Sequence, residues 1–428
     1  MTASFVQGQT WTRLVTTNDP SPRSNASAIY DPVAHRMIVF GGRTDAGSVD
    51  EVWSLELTTY SWQNITPDTG VMPAARFSQN AMYDSASHRM IIWSGQGAQL
   101  YNDIWAFDLT NNTWQELSPD GNTTGVPLKR YGTAAIFDPV TRRLVNFAGF
   151  TTSGRFDDTW YFHVDSLKWV DKTNLAHPIA RCLHSATFAG DRREMIMYGG
   201  QSSGYLDDIW SLNADSFAWT DLTPSSKPSG RYFTSNVYIG NGTVVMFGGQ
   251  TATGVSDELW QFSLGTNSWD SIPQGMTRPS GRSSHTAVYI PSTNRMIMFG
   301  GTSGTRLNDT WEFSFTPTSV NYDDQIPMGF RLEQNYPNPF NPVTVISFQL
   351  PVSSLVSLKI YNLLGQEVAT LLDHELLDEG EQEMEFEALG LPSGTYFYRF
   401  VAEAVSDEGE ELQVAERFIS VRKMILVK

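Results

Sequence analysis

Tryptophan spacing constrains this chain more than any other feature. Trp53, Trp105, Trp160, Trp210, Trp260 and Trp311 follow one another at intervals of 52, 55, 50, 50 and 51 residues. The first five are each followed nine residues later by a second tryptophan: Trp62, Trp114, Trp169, Trp219 and Trp269. A period of about 50 residues is the length of one four-stranded propeller blade. Each unit repeats the same order of parts. A Pro-x-x-Arg step leads into an inner strand such as His184–Phe188, and a turn leads to an apolar strand such as Met37-Ile38-Val39-Phe40. A strand with no polar alternation is expected to be buried on both faces. It ends in a Gly pair (Gly41-Gly42, Gly199-Gly200, Gly248-Gly249, Gly300-Gly301), reduced to Ser94-Gly95 and Ala148-Gly149 in two units. The second member is Gly in all six, which predicts a positive φ there, where a Cβ would clash. An acidic pair and the first Trp follow, as in Asp207-Asp208-Ile209-Trp210.

Six units imply six blades, and the leftovers imply how they close. Trp311 lacks an outer partner strand, while Gln9-Thr10-Trp11-Thr12 is an outer strand without a blade. Pairing the two removes an exposed edge. The Trp pairs read as core between blades rather than sugar-stacking platforms, because they recur identically. The composition agrees with this reading. With 34 Gly, 21 Pro, 12% aromatic and only 18% charged residues, the chain is neither disordered nor a helical bundle. A net charge of −17 argues against nucleic acid as a partner. The single cysteine, Cys182, can form neither an internal disulfide nor a thiolate cluster. No run approaches the ~18 apolar residues of a membrane span.

The block Arg-x-x-x-(Ser/Thr/Ala), apolar strand, Gly-Gly, acidic pair-x-Trp, Trp resembles the Kelch repeat over about residues 1–315. The fold class expected is therefore all-β: a six-bladed Kelch-type propeller over 1–315, with residues 8–15 closing the last blade. Residues 316–332 read as a linker. From 333 to 428 the period is two: Ile346, Phe348 and Leu350, then Val356, Leu358 and Ile360, then Tyr396, Tyr398 and Phe400. This suggests a small immunoglobulin-like β-sandwich. Glu381, Glu383, Glu385 and Glu387 alternate with Met384 and Phe386, as on one solvated strand face.

This second module resembles the type A C-terminal sorting domain of the type IX secretion system of Bacteroidetes-type bacteria. The carrying residues are Asn335, Tyr336, Pro337, Asn338, Pro339 and Phe340 at its start, Leu358–Val368 with Gly365, Ser393-Gly394-Thr395-Tyr396, and the tail from Lys423 to Lys428. The resemblance implies reading by the type IX translocon, and a secreted or outer-membrane-surface location. It also implies a leader for the inner membrane. Met1 to Trp11 has neither a basic start nor an apolar stretch, so the expectation is that the sequence begins after one.

Six arginines stand at one repeat position: Arg23, Arg76, Arg130, Arg181, Arg231 and Arg282, each with Pro three residues before it. By the family resemblance they lie near the channel mouth, where guanidinium groups could grip carboxylates, sulfates or phosphates. The alternative is that each pairs inside its own blade with the acidic pair, and periodic recurrence favours that. Variation beside the arginines is more informative. Phe77, Tyr131 and Tyr232 at the next position could stack on a ligand, and His184 and His285 at the third could hydrogen-bond one. The two histidines belong to blades 4 and 6, so no shared metal site is expected, and no cofactor. The acidic pairs read as acceptors of backbone N–H groups that fix their loops.

Two functions of different class follow. The first is a secreted or surface binding module that takes a glycan or protein ligand at the channel mouth. The short, near-equal loops favour it, with a monomer expected. The second is a carbohydrate-active enzyme, epimerase-like or oxidase-like. The oxidase needs a Tyr–Cys crosslink with further ligands, which Cys182 alone does not support. The epimerase needs Arg and a carboxylate in the channel, and a channel-facing Glu or Asp within reach of a Tyr or His would single it out.

Overall fold

The computed structural model describes residues 10–121, 124–315, 330–350, 352–406 and 413–427. Residues 8 and 9 of the closing segment, 316–329 of the linker, and Lys428 lie outside these. The chain divides into two compact units, Met1–Pro317 and Thr318–Lys428.

The described residues of the first unit form six four-stranded antiparallel sheets. Blade 1 holds Ser27–Asp31, Arg36–Phe40, Val52–Glu56 and Ser61–Asn64; blade 2 holds Asn80–Asp84, Arg89–Trp93, Ile104–Asp108 and Thr113–Ser118. Blades 3, 4 and 5 begin with Ala134–Asp138, Ser185–Ala189 and Ser235–Tyr238. Blade 6 holds Thr286–Ile290, Arg295–Phe299 and Thr310–Ser314. Its fourth strand is Thr10–Arg13, with Trp11 opposite Phe313 and Arg13 opposite Trp311. The innermost strands touch in the order of the blades, and the sixth returns to the first, so the ring is closed.

The apolar strands explain why blades stack. Successive side chains of a strand point to opposite faces. In Arg36–Phe40, Met37 and Val39 join a core shared with Ile297 and Phe299 of blade 6. Ile38 and Phe40 join another shared with Met90 and Ile92 of blade 2. One strand thus feeds two inter-blade cores. Its last residue receives the second tryptophan of the following blade. Trp62 meets Phe299, Trp114 meets Phe40, Trp169 meets Trp93, Trp219 meets Phe147, Trp269 meets Tyr198 and Trp11 meets Phe247. The ring centroids lie 4.6–5.2 Å apart. Trp93, the one tryptophan outside the sequence scheme, is therefore a strand-end residue in this series.

The second unit has two antiparallel sheets. One contains Arg331–Leu332, Val343–Leu350 and Gly380–Glu387; the other contains Ser354–Tyr361, Glu367–Leu377, Gly394–Ser406 and Gln413–Leu426. Ile346, Phe348, Leu350, Val356, Leu358, Ile360, Tyr398 and Phe400 are fully buried in one shared core. Phe348 and Phe400 meet across it at 4.7 Å.

Candidate functional site

At the end of the ring where the Arg steps and Gly pairs meet, the six arginines are committed to the fold. Arg23, Arg76, Arg130, Arg181, Arg231 and Arg282 are at most 1% exposed. Of the two roles weighed for them, the structure has the in-blade pairing that recurrence favoured, and burial removes all six from the candidate ligand-lining residues. Each pairs with the second member of the acidic pair of its own blade: Glu51, Asp103, Asp158, Asp208, Glu258 or Asp309. Four of the pairs are bidentate, as in Arg181–Asp208 at 2.7 and 2.7 Å. Each guanidinium also donates to the carbonyl of the first Gly-pair position, as Arg76 does to Ser94 at 3.1 Å.

Of the acidic pairs, expected to accept backbone N–H groups, Asn102 does accept one, from Gly121 at 2.9 Å, but the second members are held chiefly by side chains. Besides the arginine, each accepts from the indole Nε1 of the tryptophan two residues on, at 2.7–3.3 Å. Burial alone would push Asp208 up, yet Arg181 and Trp210 outweigh it and hold the carboxyl below its ordinary range. Asp309, Glu51 and Glu258 behave alike. The backbone of the arginine completes the joint. Its carbonyl accepts from the second Gly N–H of the preceding blade, as in Gly42 to Arg76 and Gly301 to Arg23, both 2.9 Å. The second Gly has φ between 94 and 119° in all six blades. A Cβ at Gly200 would lie 2.8 Å from the Cys182 carbonyl oxygen.

Two residues past each arginine the chain enters the left-handed region at Asn25, Ser78, Gly132, Leu183, Phe233 and Ser284, with φ of 53–61°. This turns each N–H toward the carbonyl of the preceding blade. The six bonds, 2.6–3.2 Å long, form a closed ring around the channel. Such a conformation costs Leu183 and Phe233 of order 1–3 kcal/mol each, so the ring must over-determine it.

Inside lies a cavity of about 210 Å³ walled by all six inner strands. Its wall is hydroxyl, amide and imidazole, including Ser27, Gln79, Thr133, His184, Thr234 and His285. Burial, then Arg181, lowers His184 to about 3; burial, then Arg282, lowers His285 to about 3. Both imidazoles are therefore neutral in the wall. His285 meets Ser235 Oγ at 2.8 Å across the blade 5–6 boundary. His184 sits edge-on to Phe147. The two stand in one cavity but on non-adjacent blades.

The position just after the arginine behaves differently. In blades 3, 4 and 5 it holds Tyr131, Cys182 and Tyr232. Tyr131 packs on Phe150 at 5.6 Å, and Tyr232 stacks on Tyr205 at 5.4 Å and 13°. Tyr232 also meets Phe233 at 5.5 Å. Arg155 lies over Phe150 at 5.7 Å and donates to Gln201 Oε1 at 3.1 Å. Burial raises the Cys182 thiol against the opposing pull of Arg155. Burial, then Cys182, raises Tyr131. Burial, then Tyr205, raises Tyr232. Cys182 thus lies between two aromatic groups, Tyr131–Phe150 with Arg155 and Tyr205–Tyr232–Phe233. Phe77 lies apart in blade 2, beside the Arg43 guanidinium at 5.6 Å. Sequence reading singled out Tyr131 and Tyr232 but not their neighbours Phe150, Arg155, Gln201 and Tyr205. A comparison of the loops after the Gly pair, blade by blade, would have exposed them.

In the second unit, the Asn335–Phe340 segment holds the last strand. Asn338 Oδ1 accepts from Ile425 N–H at 2.9 Å, and Phe340 N–H donates to the Ile425 carbonyl at 2.9 Å. Asn335, 2% exposed, donates its Nδ2 to Thr344 Oγ1 and its backbone N–H to the Tyr398 hydroxyl oxygen; Phe340 enters the core. Tyr336 is exposed, Gly365 lies in a hairpin turn at φ 74°, Gly394 opens a strand and Lys423 is exposed.

A closed ring of six four-stranded blades, stapled by Arg–carboxylate–Trp joints and followed by a two-sheet module, defines a β-propeller with an appended β domain. Residues 3–205 match the Attractin/LZTR1 beta-propeller family, residues 170–329 the KLHDC2/KLHL20/DRC7 Kelch-repeats domain, and residues 334–408 the Secretion system C-terminal sorting domain. The chain belongs to the Kelch-repeat β-propellers and carries a type IX C-terminal sorting domain, which marks it for export to the cell surface or beyond. Among its relatives, the host cell factor homolog hcf-1 of Caenorhabditis elegans is 26% identical over 222 residues, covering 45% of this chain and 27% of that protein. The leucine-zipper-like transcriptional regulator 1 homolog of Drosophila melanogaster is 26% identical over 196 residues, 42% of this chain and 19% of its own. The host cell factor of the same fly is 25% identical over 200 residues, 41% and 13%. The chain thus spans about a quarter or less of these relatives' length. Among the described residues no helix is long and apolar enough to cross a membrane.

Proposed function

We propose that the protein is an exported binding module whose propeller takes a glycan or protein ligand on the mouth face of blades 3 to 5. The observation that carries this reading is the Tyr131–Cys182–Tyr232 row with Phe150, Arg155 and Tyr205 around it. The arginine joints and the ring of backbone bonds repeat six times and serve the fold; this cluster does not repeat. Flat aromatic faces beside amide and guanidinium donors suit ligand capture. A binding role also fits the carboxylates nearest the mouth, which are held ionised by arginine rather than poised to transfer protons. The second reading, a carbohydrate-active enzyme of epimerase-like type, needs a carboxylate among the cavity-wall residues and finds amides and hydroxyls there instead.

The test is a labelled full-length protein on glycan and surface-protein arrays, compared with the Tyr205→Ala/Tyr232→Ala variant. The signal of the wild type should fall at least tenfold in the variant, with the denaturation midpoint little changed. Retention of the same hits by the variant would remove the mouth of blades 3 to 5 as the site.

A further inference from the structure

The repeat supplies its own control for Arg155. Arg155 of blade 3 and Arg306 of blade 6 stand at equivalent places, each opposite the residue that follows the second Gly, Phe150 and Thr302. Both reach across to the next blade. Arg306 finds a carboxylate there, Asp45 of blade 1. Arg155 finds the amide oxygen of Gln201 and the Cys182 thiol in blade 4, and no carboxylate. Among the described residues no carboxylate lies within ion-pairing distance of Arg155; its Nε is buried without an acceptor, but so is that of Arg306, and the missing carboxylate alone sets the two apart. A guanidinium over an aromatic face, half-buried and lacking a counter-ion, is an incomplete pair.

We propose that Arg155 anchors a carboxylate of the ligand, and that the ligand is a glycan bearing an isolated acidic sugar of the hexuronate type. The proposal rests on the mouth-face reading and names the chemistry that face takes. The carboxylate would supply to Arg155 what Asp45 supplies to Arg306. The parallel Tyr205–Tyr232 pair, with Tyr205 40% exposed, gives a flat platform for the apolar face of a pyranose ring. Gln201 stands beside the guanidinium as a polar partner for ring hydroxyls. The charge of the chain limits how acidic such a ligand is. At −17 overall, the protein repels a dense polyanion, whereas one carboxylate seated on one guanidinium is locally compensated.

The experiment titrates the full-length protein with an oligosaccharide ending in glucuronic acid, the same oligosaccharide ending in glucose, and a short glutamate-rich peptide. Wild type, Arg155→Gln, Arg155→Lys and Tyr205→Ala/Tyr232→Ala are compared at two salt concentrations. The acidic sugar should bind about tenfold or more tightly than its neutral twin. Arg155→Gln should erase that preference, Arg155→Lys should restore part of it, and salt should weaken only the acidic sugar. Tryptophan fluorescence during denaturation confirms that each variant is folded. If Arg155→Gln leaves the preference intact while the tyrosine variant abolishes binding, the anchor is wrong and the mouth face stands. If the tyrosine variant also binds normally, the mouth-face reading falls with it. Preferential binding of the peptide, or no binding of the acidic sugar by wild type, overturns the proposal.

Discussion

Acid should loosen the propeller well before its carboxylates titrate, and the two channel histidines set the size of the effect. In the folded ring His184 and His285 stay neutral down to about pH 3, because burial first, and then Arg181 and Arg282, disfavour the cation. In the unfolded chain each takes up a proton near pH 6.5. Between those values the unfolded state binds more protons, so the stability present above pH 6.5 is lost as pH falls. Each histidine removes up to about 1.4 kcal/mol per pH unit, so the pair removes about 2.7 kcal/mol between pH 5.5 and 4.5. The assay is urea denaturation followed by tryptophan fluorescence at constant ionic strength. All 13 tryptophans lie between Trp11 and Trp311, so the signal reports the propeller alone. The comparison is His184→Thr/His285→Thr, which installs the residue that blades 3 and 5 already use. There Thr133 and Thr234 hydrogen-bond the strand-end carbonyls of Phe147 and Phe247 at 3.2 and 2.8 Å. The double variant should lose most of the slope above pH 4.5, whatever its absolute stability. An unchanged slope would mean that neither imidazole is held neutral, and the account of an uncharged channel wall would be wrong.

The arginine joints should rank by the burial of their carboxylates. Arg76→Met leaves Asp103, 6% exposed, with Trp105 Nε1 as its remaining side-chain partner, and should cost about 3–5 kcal/mol in urea denaturation. Arg231→Met leaves Glu258 49% exposed and hydrated, and should cost less than half as much; equal or reversed costs would refute the ranking. By the same logic Arg130→Ala is a stability variant and not a probe of ligand binding. Deleting residues 333–428 should leave tryptophan fluorescence native and the protein inside the cell, and its appearance in the medium would contradict the export role of the tail.

The parts of this protein that were legible in sequence are those that recur. A tryptophan every 50 or so residues must meet the same surroundings each time, so Trp62, Trp114 and their counterparts announce inter-blade cores without any knowledge of the partner. The second Gly was legible for the same reason, since its φ is positive in all six and the neighbouring strand crowds a Cβ there, most tightly at Gly200 and Gly301. The left-handed turn two residues past each arginine left no such mark. Asn, Ser, Gly, Leu, Phe and Ser all adopt it, because the closed ring of backbone bonds, and not the side chain, imposes the conformation.

Recurrence also explains how the arginines mislead. Six guanidinium groups at a channel mouth look like a ligand ring until each is matched with the carboxylate of its own blade, 27 or 28 residues away in sequence. A contact repeated in every blade answers a demand made by every blade, and that demand is folding. Binding a single asymmetric ligand asks something of only part of the ring, so its signature is a repeat position whose counterpart is satisfied while it is not. Arg306 and Arg155 are such a pair. The partner of the first lies 261 residues away in blade 1, and that of the second is an amide 46 residues on in blade 4. Neither separation is periodic in a way that sequence reading could use, so only the folded ring shows which guanidinium is already neutralised.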